Sequence, residues 1–129
     1  MKSSILFSFL FVAATALLLV SCKMEAKTDA TQTLRQSFQT ADPEVKKAIE
    51  TVNNSLKTAN YSEAARTLAP LVDQRPMTDA QKQAVGVALQ QINQAMAVNP
   101  ALDTKEMYEL RAKMFHAVQS GPRFSRSLP

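Results

Sequence analysis

Residues 42–56, DPEVKKAIETVNNSL, decide the fold class. Asp42, Pro43 and Glu44 form a helix start. An Asp carboxylate accepts from free first-turn N–H groups, Pro suits the first helical position, and Glu complements the positive end of the dipole. Val45, Ile49, Val52 and Leu56 then recur at intervals of four, three and four. At about 100° per residue they share roughly 60° of arc, with Ala48 and Ala59 beside them. Lys47, Glu50, Asn54 and Lys57 hold the opposite side. The pattern predicts a one-sided amphipathic helix over 43–58.

The same periodicity continues towards higher numbers. After a short turn at Thr58-Ala59-Asn60, a second helix begins near Tyr61, with Tyr61, Ala64, Ala65, Leu68, Leu71 and Val72 on one face. Pro70 falls within it. A proline there removes a backbone hydrogen bond, so a kink or a break near Ala69 is expected, with Pro70 on the outer side. Thr78 and Gln81 form a capping-box pattern ahead of a third helix over 79–98. That helix has two apolar stripes: Val85, Leu89, Ile92 and Met96, and then Ala80, Ala84, Val87, Ala88, Ala95 and Val98. Two stripes predict two neighbours and a place in the middle of the stack. Asn99-Pro100 ends it, Asp103 and Glu106 suggest another capping box, and Met107, Leu110, Met114 and Val118 mark a fourth helix over 104–119. Tyr108 and Phe115 flank this last core face. Ser120-Gly121-Pro122 is a stop signal.

No segment beyond residue 22 alternates as a strand does. Two glycines and no tryptophan also argue against a turn-rich β-sandwich or barrel. The expected architecture is all-α: a small antiparallel bundle of about four helices over 42–120, with 121–129 a disordered tail. Residues 23–33, KMEAKTDATQT, carry few large apolar groups. They cannot offset chain entropy, so 22–41 reads as a flexible tether with a weak helix at its end, starting near Thr31.

The first 21 residues differ in kind: 15 of them are apolar, against 44 of the remaining 108. Lys2 precedes an apolar run from Ile5 to Val20 interrupted only by Ser8 and Thr15. Sixteen residues as a helix reach about 24 Å, short of a hydrocarbon core of about 30 Å. A removable signal segment over 1–21 fits better than a permanent span. The run ends in Leu19-Val20-Ser21-Cys22, which resembles the lipobox of bacterial lipoproteins. The resemblance implies cleavage between Ser21 and Cys22, a diacylglycerol thioether on Cys22, and acylation (palmitate or a similar chain) of the new amine. Two or three chains make a stable anchor where one is marginal. It further implies a protein of the bacterial cell envelope, lipid-anchored and facing the periplasm. Lys23 in place of an aspartate after the lipidated position favours the outer membrane.

A second, shorter resemblance concerns Ala59-Asn60-Tyr61-Ser62-Glu63-Ala64, which is similar to the inter-helix turn of tetratricopeptide repeats. Leu68, Leu71 and Pro76 follow at that repeat's spacing, and Val85, Gly86 and Leu89 lie one period on. Thr51, Val52 and Ser55 depart from the pattern in the first helix. Over about 44–98 this resemblance implies a degenerate helix stack that serves as a scaffold for another protein.

Catalytic signals are absent from the sequence. A single Cys and a single His exclude a Cys/His zinc site and an internal disulfide. His116 falls about 180° from Met107, on the solvent side, without an acidic or nucleophilic partner at helical spacing. The pairs Glu106/Glu109 and Asp42/Glu44 suit dipole matching and solubility. No Gly-rich phosphate loop, nucleophile elbow or metal-ligand spacing appears. No catalytic residue, metal or cofactor is therefore expected. The charge beyond residue 21, 14 basic against 11 acidic groups, is too small and too dispersed for nucleic acid. Arg123-Phe124-Ser125-Arg126 reads as a solvated tail, with anionic headgroups or an acidic partner as the alternative contact.

The functional expectation is a membrane-anchored envelope lipoprotein whose helical domain is a protein-interaction module for another envelope protein. Tyr61, Tyr108 and Phe115 are candidate partner contacts. A periplasmic inhibitor or immunity-type protein that binds one enzyme is an alternative. A structural envelope spacer is another, although helices broken by Pro70, Pro76 and Pro100 oppose the long heptads it needs.

Overall fold

The computed structural model describes residues 29–120. The signal-like segment 1–21, the Ser21–Cys22 junction and the tail 121–129 lie outside the described residues. The elements are α1 (Thr31–Ser37), α2 (Pro43–Lys57), α3 (Tyr61–Asp73), α4 (Asp79–Val98), a 3-10 turn at Pro100–Leu102, and α5 (Lys105–Gln119). No strand occurs among the described residues. The all-α expectation holds, with five helices where about four were expected.

The helices close a ring. α1 packs on α2, α2 on α3, α3 on α5, α5 on α4, and α4 back on α1. Each supplies one apolar stripe to a shared centre, where Leu34, Ile49, Val52, Leu68, Val85, Ile92, Met107 and Met114 are buried. The two stripes of α4 do meet two main neighbours, α5 and α1. In a ring there is no middle position. α3 and α4, successive in sequence, touch only slightly, and α5 stands beside α3 instead. In a tandem stack of helix pairs, by contrast, each pair packs on the next one in sequence. The arrangement therefore does not confirm the repeat resemblance.

The helix expected to start near Thr31 is present as α1, and it is the tether boundary that shifts, because the end of the 22–41 segment packs on the domain. From Asp29 onward its residues belong to the bundle. Ala30, Thr31, Leu34 and Phe38 are buried. The Asp29 carboxylate accepts from the Thr31 N–H at 2.9 Å and the Thr31 hydroxyl at 2.7 Å. These bonds hold the Asp29 carboxyl below its ordinary value. The Ala30 N–H donates to Gln91 Oε1 of α4 at 3.1 Å. A helix of seven residues cannot stand alone in water. It forms here because α2 and α4 barely touch directly and leave an apolar slot that Leu34 and Phe38 fill.

Helix ends follow the sequence in part. The Thr78–Gln81 box is complete, with bonds of 3.2 and 3.0 Å. The expected box at Asp103 and Glu106 does not form. The turn at Pro100–Leu102 shifts the start, so Thr104 caps α5 by accepting from the Met107 N–H at 3.2 Å. Glu106 instead pairs with Arg66 of α3. Asp42 makes no side-chain cap bond on α2, and its carboxylate lies 3.4 Å from Arg75. α3 runs unbroken through Ala69, with Pro70 on the exposed side.

The α2–α3 turn is a Schellman motif. The Asn60 N–H reaches Ser55 O at 2.8 Å and the Ala59 N–H reaches Leu56 O at 3.2 Å. Ala59 adopts a φ of 58°, the left-handed region that favours glycine. Asn60 then caps α3 by accepting from the Glu63 N–H.

Two substitutions follow from this packing. Leu34→Ala should cost about 2–5 kcal/mol, because it empties the slot between α2 and α4. A large fall in the urea midpoint would be the sign; an unchanged midpoint would place α1 outside the cooperative unit. Ala59→Gly should gain up to about 1 kcal/mol, the relief of left-handed strain less the added freedom of the unfolded chain. The same titration would show it as a higher midpoint.

Candidate functional site

One end of the bundle collects the C-termini of α1, α3 and α5 and the N-termini of α2 and α4. Polar bonds lace it together. Gln81 Nε2 donates to Ser37 O at 3.3 Å, and Lys82 Nζ donates to Ser120 O at 2.7 Å. Arg75 meets Asp42 at the start of α2. The loop between α3 and α4 does not fill the space these bonds enclose. Pro76 lacks a backbone donor, and its ring holds the chain out of helical geometry. Met77 turns partly inward against the core.

Two adjoining hollows result, of about 260 and 190 Å³. Val72, Arg75, Pro76 and Met77 line both. His116, Ala117 and Ser120 border one side, and Phe38, Ala41 and Val45 border the other. Asp73 and His116 stand on the same rim. Asp73 has no basic partner among the described residues. Aliphatic and thioether groups thus stand among polar and charged ones in both hollows, with Asp73, Arg75 and His116 at one and Thr40, Asp42, Arg75 and Gln81 at the other.

The expected contact residues fall elsewhere. Tyr61 is half-buried against the core. Tyr108 and Phe115 are 53% and 55% exposed on α5. Seven residues apart, they share one helix face. The Arg111 guanidinium carbon lies 5.5 Å from the centre of the Tyr108 ring, which orients that ring. Asp103 beside Tyr108 holds its phenol above the ordinary value. His116 is exposed, as its helical position predicted. None of Tyr61, Tyr108 and Phe115 lines either hollow. The hollows were missed because their walls come from three separated segments. Their one local signal was a methionine after proline in a polar loop.

Elsewhere, Asn53 is completely buried, and neither of its amide atoms has a partner among the described residues. Such a group costs about 1–3 kcal/mol. It lies in the core and lines neither hollow. No three His, Cys, Asp or Glu side chains gather as a metal site among the described residues. No helix among them is long and apolar enough to cross a membrane. No known family model, curated protein or solved structure matches this chain.

The Arg66–Glu106 pair ties α3 to α5 through two bonds of 2.7 and 2.9 Å. The hydrogen bonds from Arg66 hold the Glu106 carboxyl below its ordinary value. The sign follows: the contribution is present above the unfolded glutamate value and is lost as pH falls through the lower folded one. Arg66→Gln should therefore raise the Glu106 titration midpoint towards the ordinary glutamate range. Carboxyl carbon NMR would show it, and an unmoved midpoint would mean that the pair does not persist in solution.

Proposed function

We propose that this chain is a cell-envelope lipoprotein, anchored through lipid on Cys22, whose helical bundle docks another envelope protein. The observation that carries the anchoring is Leu19-Val20-Ser21-Cys22 at the end of an apolar run, immediately ahead of charged residues. The helical domain supports the docking part, since its described residues present two hollows and an exposed aromatic face.

Six residues separate Cys22 from Asp29, so the tether reaches at most about 24 Å. That is far shorter than the tether expected to run to residue 41. The entry end of the bundle is set by Asp29, near Lys57 at the end of α2, and by Ala30 on Gln91. α1 then runs back to Ser37, beside Gln81 at the start of α4. The hollows belong to that second end. A bundle held by its entry end would therefore turn the hollows away from the lipid surface, towards proteins anchored nearby. Confinement raises the effective concentration of such partners, so weak contacts suffice.

The anchoring is tested by growing cells with labelled palmitate. The wild-type chain should take up label and sediment with membranes. Cys22→Ala should take up none. A mature wild-type polypeptide with an unmodified Cys22 thiol, or with residues 1–21 still attached, would overturn the reading.

A further inference from the structure

Asn53 of α2 is completely buried, and neither of its amide atoms has a hydrogen-bond partner among the described residues. Its place on the helix says what covers it. Glu50 lies three residues before it and Lys57 four residues after, so all three share one side of α2. Both flanking residues meet α1 or its first turn: Glu50 pairs with Arg35 at 3.0 and 3.3 Å, and Lys57 lies near Asp29. The body of α1, where Ala30 and Leu34 are buried, therefore lies over Asn53. Docking α1 strips water from this amide and supplies no bond in its place. The penalty is relieved whenever α1 lifts and water reaches the amide.

The fastenings of α1 are few. The helix is seven residues long, and Ala30 at its start offers no side-chain cap. Its ion pair with Glu50 is exposed on both sides. Gln91 and Gln81 each supply one hydrogen bond, to the Ala30 N–H and the Ser37 carbonyl. The packing of α2 on α3 and of α3 on α5 is more extensive than that of α1 on either neighbour. We propose that α1 is a releasable strap, which lifts from the slot between α2 and α4 while the other helices stay folded, and that the Asn53 amide beneath it sets how readily it lifts. The slot it uncovers is apolar, so the released form is the minor one at equilibrium. One consequence rests on the anchoring at Cys22 proposed above. With α1 released, nineteen residues instead of six separate Cys22 from the folded part, and the greatest reach rises from about 24 to about 68 Å. The release itself does not need lipid.

The test is amide hydrogen exchange of the full chain in zwitterionic detergent, followed by NMR where the rate reports the opening equilibrium. The Leu34 and Phe38 N–H groups, bonded to Ala30 O and Leu34 O, should exchange at least about ten-fold faster than those of Leu68 and Met114. Asn53→Val removes the amide and should slow Leu34 and Phe38 about ten-fold. Asn53→Asp puts a charge under α1, and should leave Leu34 and Phe38 unprotected while Leu68 and Met114 stay protected. Equal protection of all four groups in the wild-type chain would overturn the proposal. So would an Asn53→Val chain in which Leu34 and Phe38 exchange no more slowly, or an Asn53→Asp chain that loses protection at all four together. A chain with an unmodified Cys22 thiol that shows the expected pattern would sink the anchoring and leave the strap in place.

Discussion

The bundle depends on α1 filling the slot between α2 and α4. Those two helices each carry an apolar stripe, yet they barely touch each other. Leu34 and Phe38 of α1 are buried in the same core cluster as Ile49 and Val52 of α2 and Ala88 and Ile92 of α4. Burying one large aliphatic or aromatic side chain contributes about 1.5–3 kcal/mol, a large share of the net stability of a small domain. A seven-residue helix that the sequence marked only as weak thus packs against both of its neighbours. Its polar anchors do a separate task. Asp29 holds the first turn through Thr31, and Gln91 sets how deep the helix sits.

The two ends of the ring are built differently. At the entry end the connections are tight: a Schellman turn after α2 and a 3-10 turn before α5. At the other end, the loop between α3 and α4 is extended at Pro76 and leaves Met77 over a gap. Side-chain bonds from Gln81, Lys82 and Arg75 hold the rim of that gap open. The Met77 thioether there is flexible and polarisable and stands among both apolar and charged neighbours. The Asn53 amide, by contrast, is a cost carried in the core and not a feature of the hollows.

Much of the fold was legible because it rests on local rules. The helices at 43–57, 61–73 and 79–98 were read from periodicity and from Asp42, Pro43 and the Thr78–Gln81 box, and α4 agrees at both ends. The two capping expectations that failed share one feature: the carboxylate lies beside an arginine far away in sequence. Asp42 turned to Arg75, and Glu106 turned to Arg66. The site was less legible than the fold. Tyr61, on the apolar face of its helix, is half-buried against the core, whereas Tyr108 and Phe115 flank the α5 core face and are exposed. The hollows left only the Pro76-Met77 pair as a local signal, since Val72, Met77 and Ala117 are brought together by packing.

The sequence by itself determined the helical class, most of the helix bounds and the single-sided burial of each helix. These follow from side-chain spacing and backbone geometry within a few residues. Only the tertiary structure decided the order of helices around the ring, the recruitment of residues 29–41 into the core, and the hollows at one end. Those depend on how apolar stripes of different widths share a common centre. No stretch of chain records where a gap between two helices will be left, or which distant segment has the shape to close it.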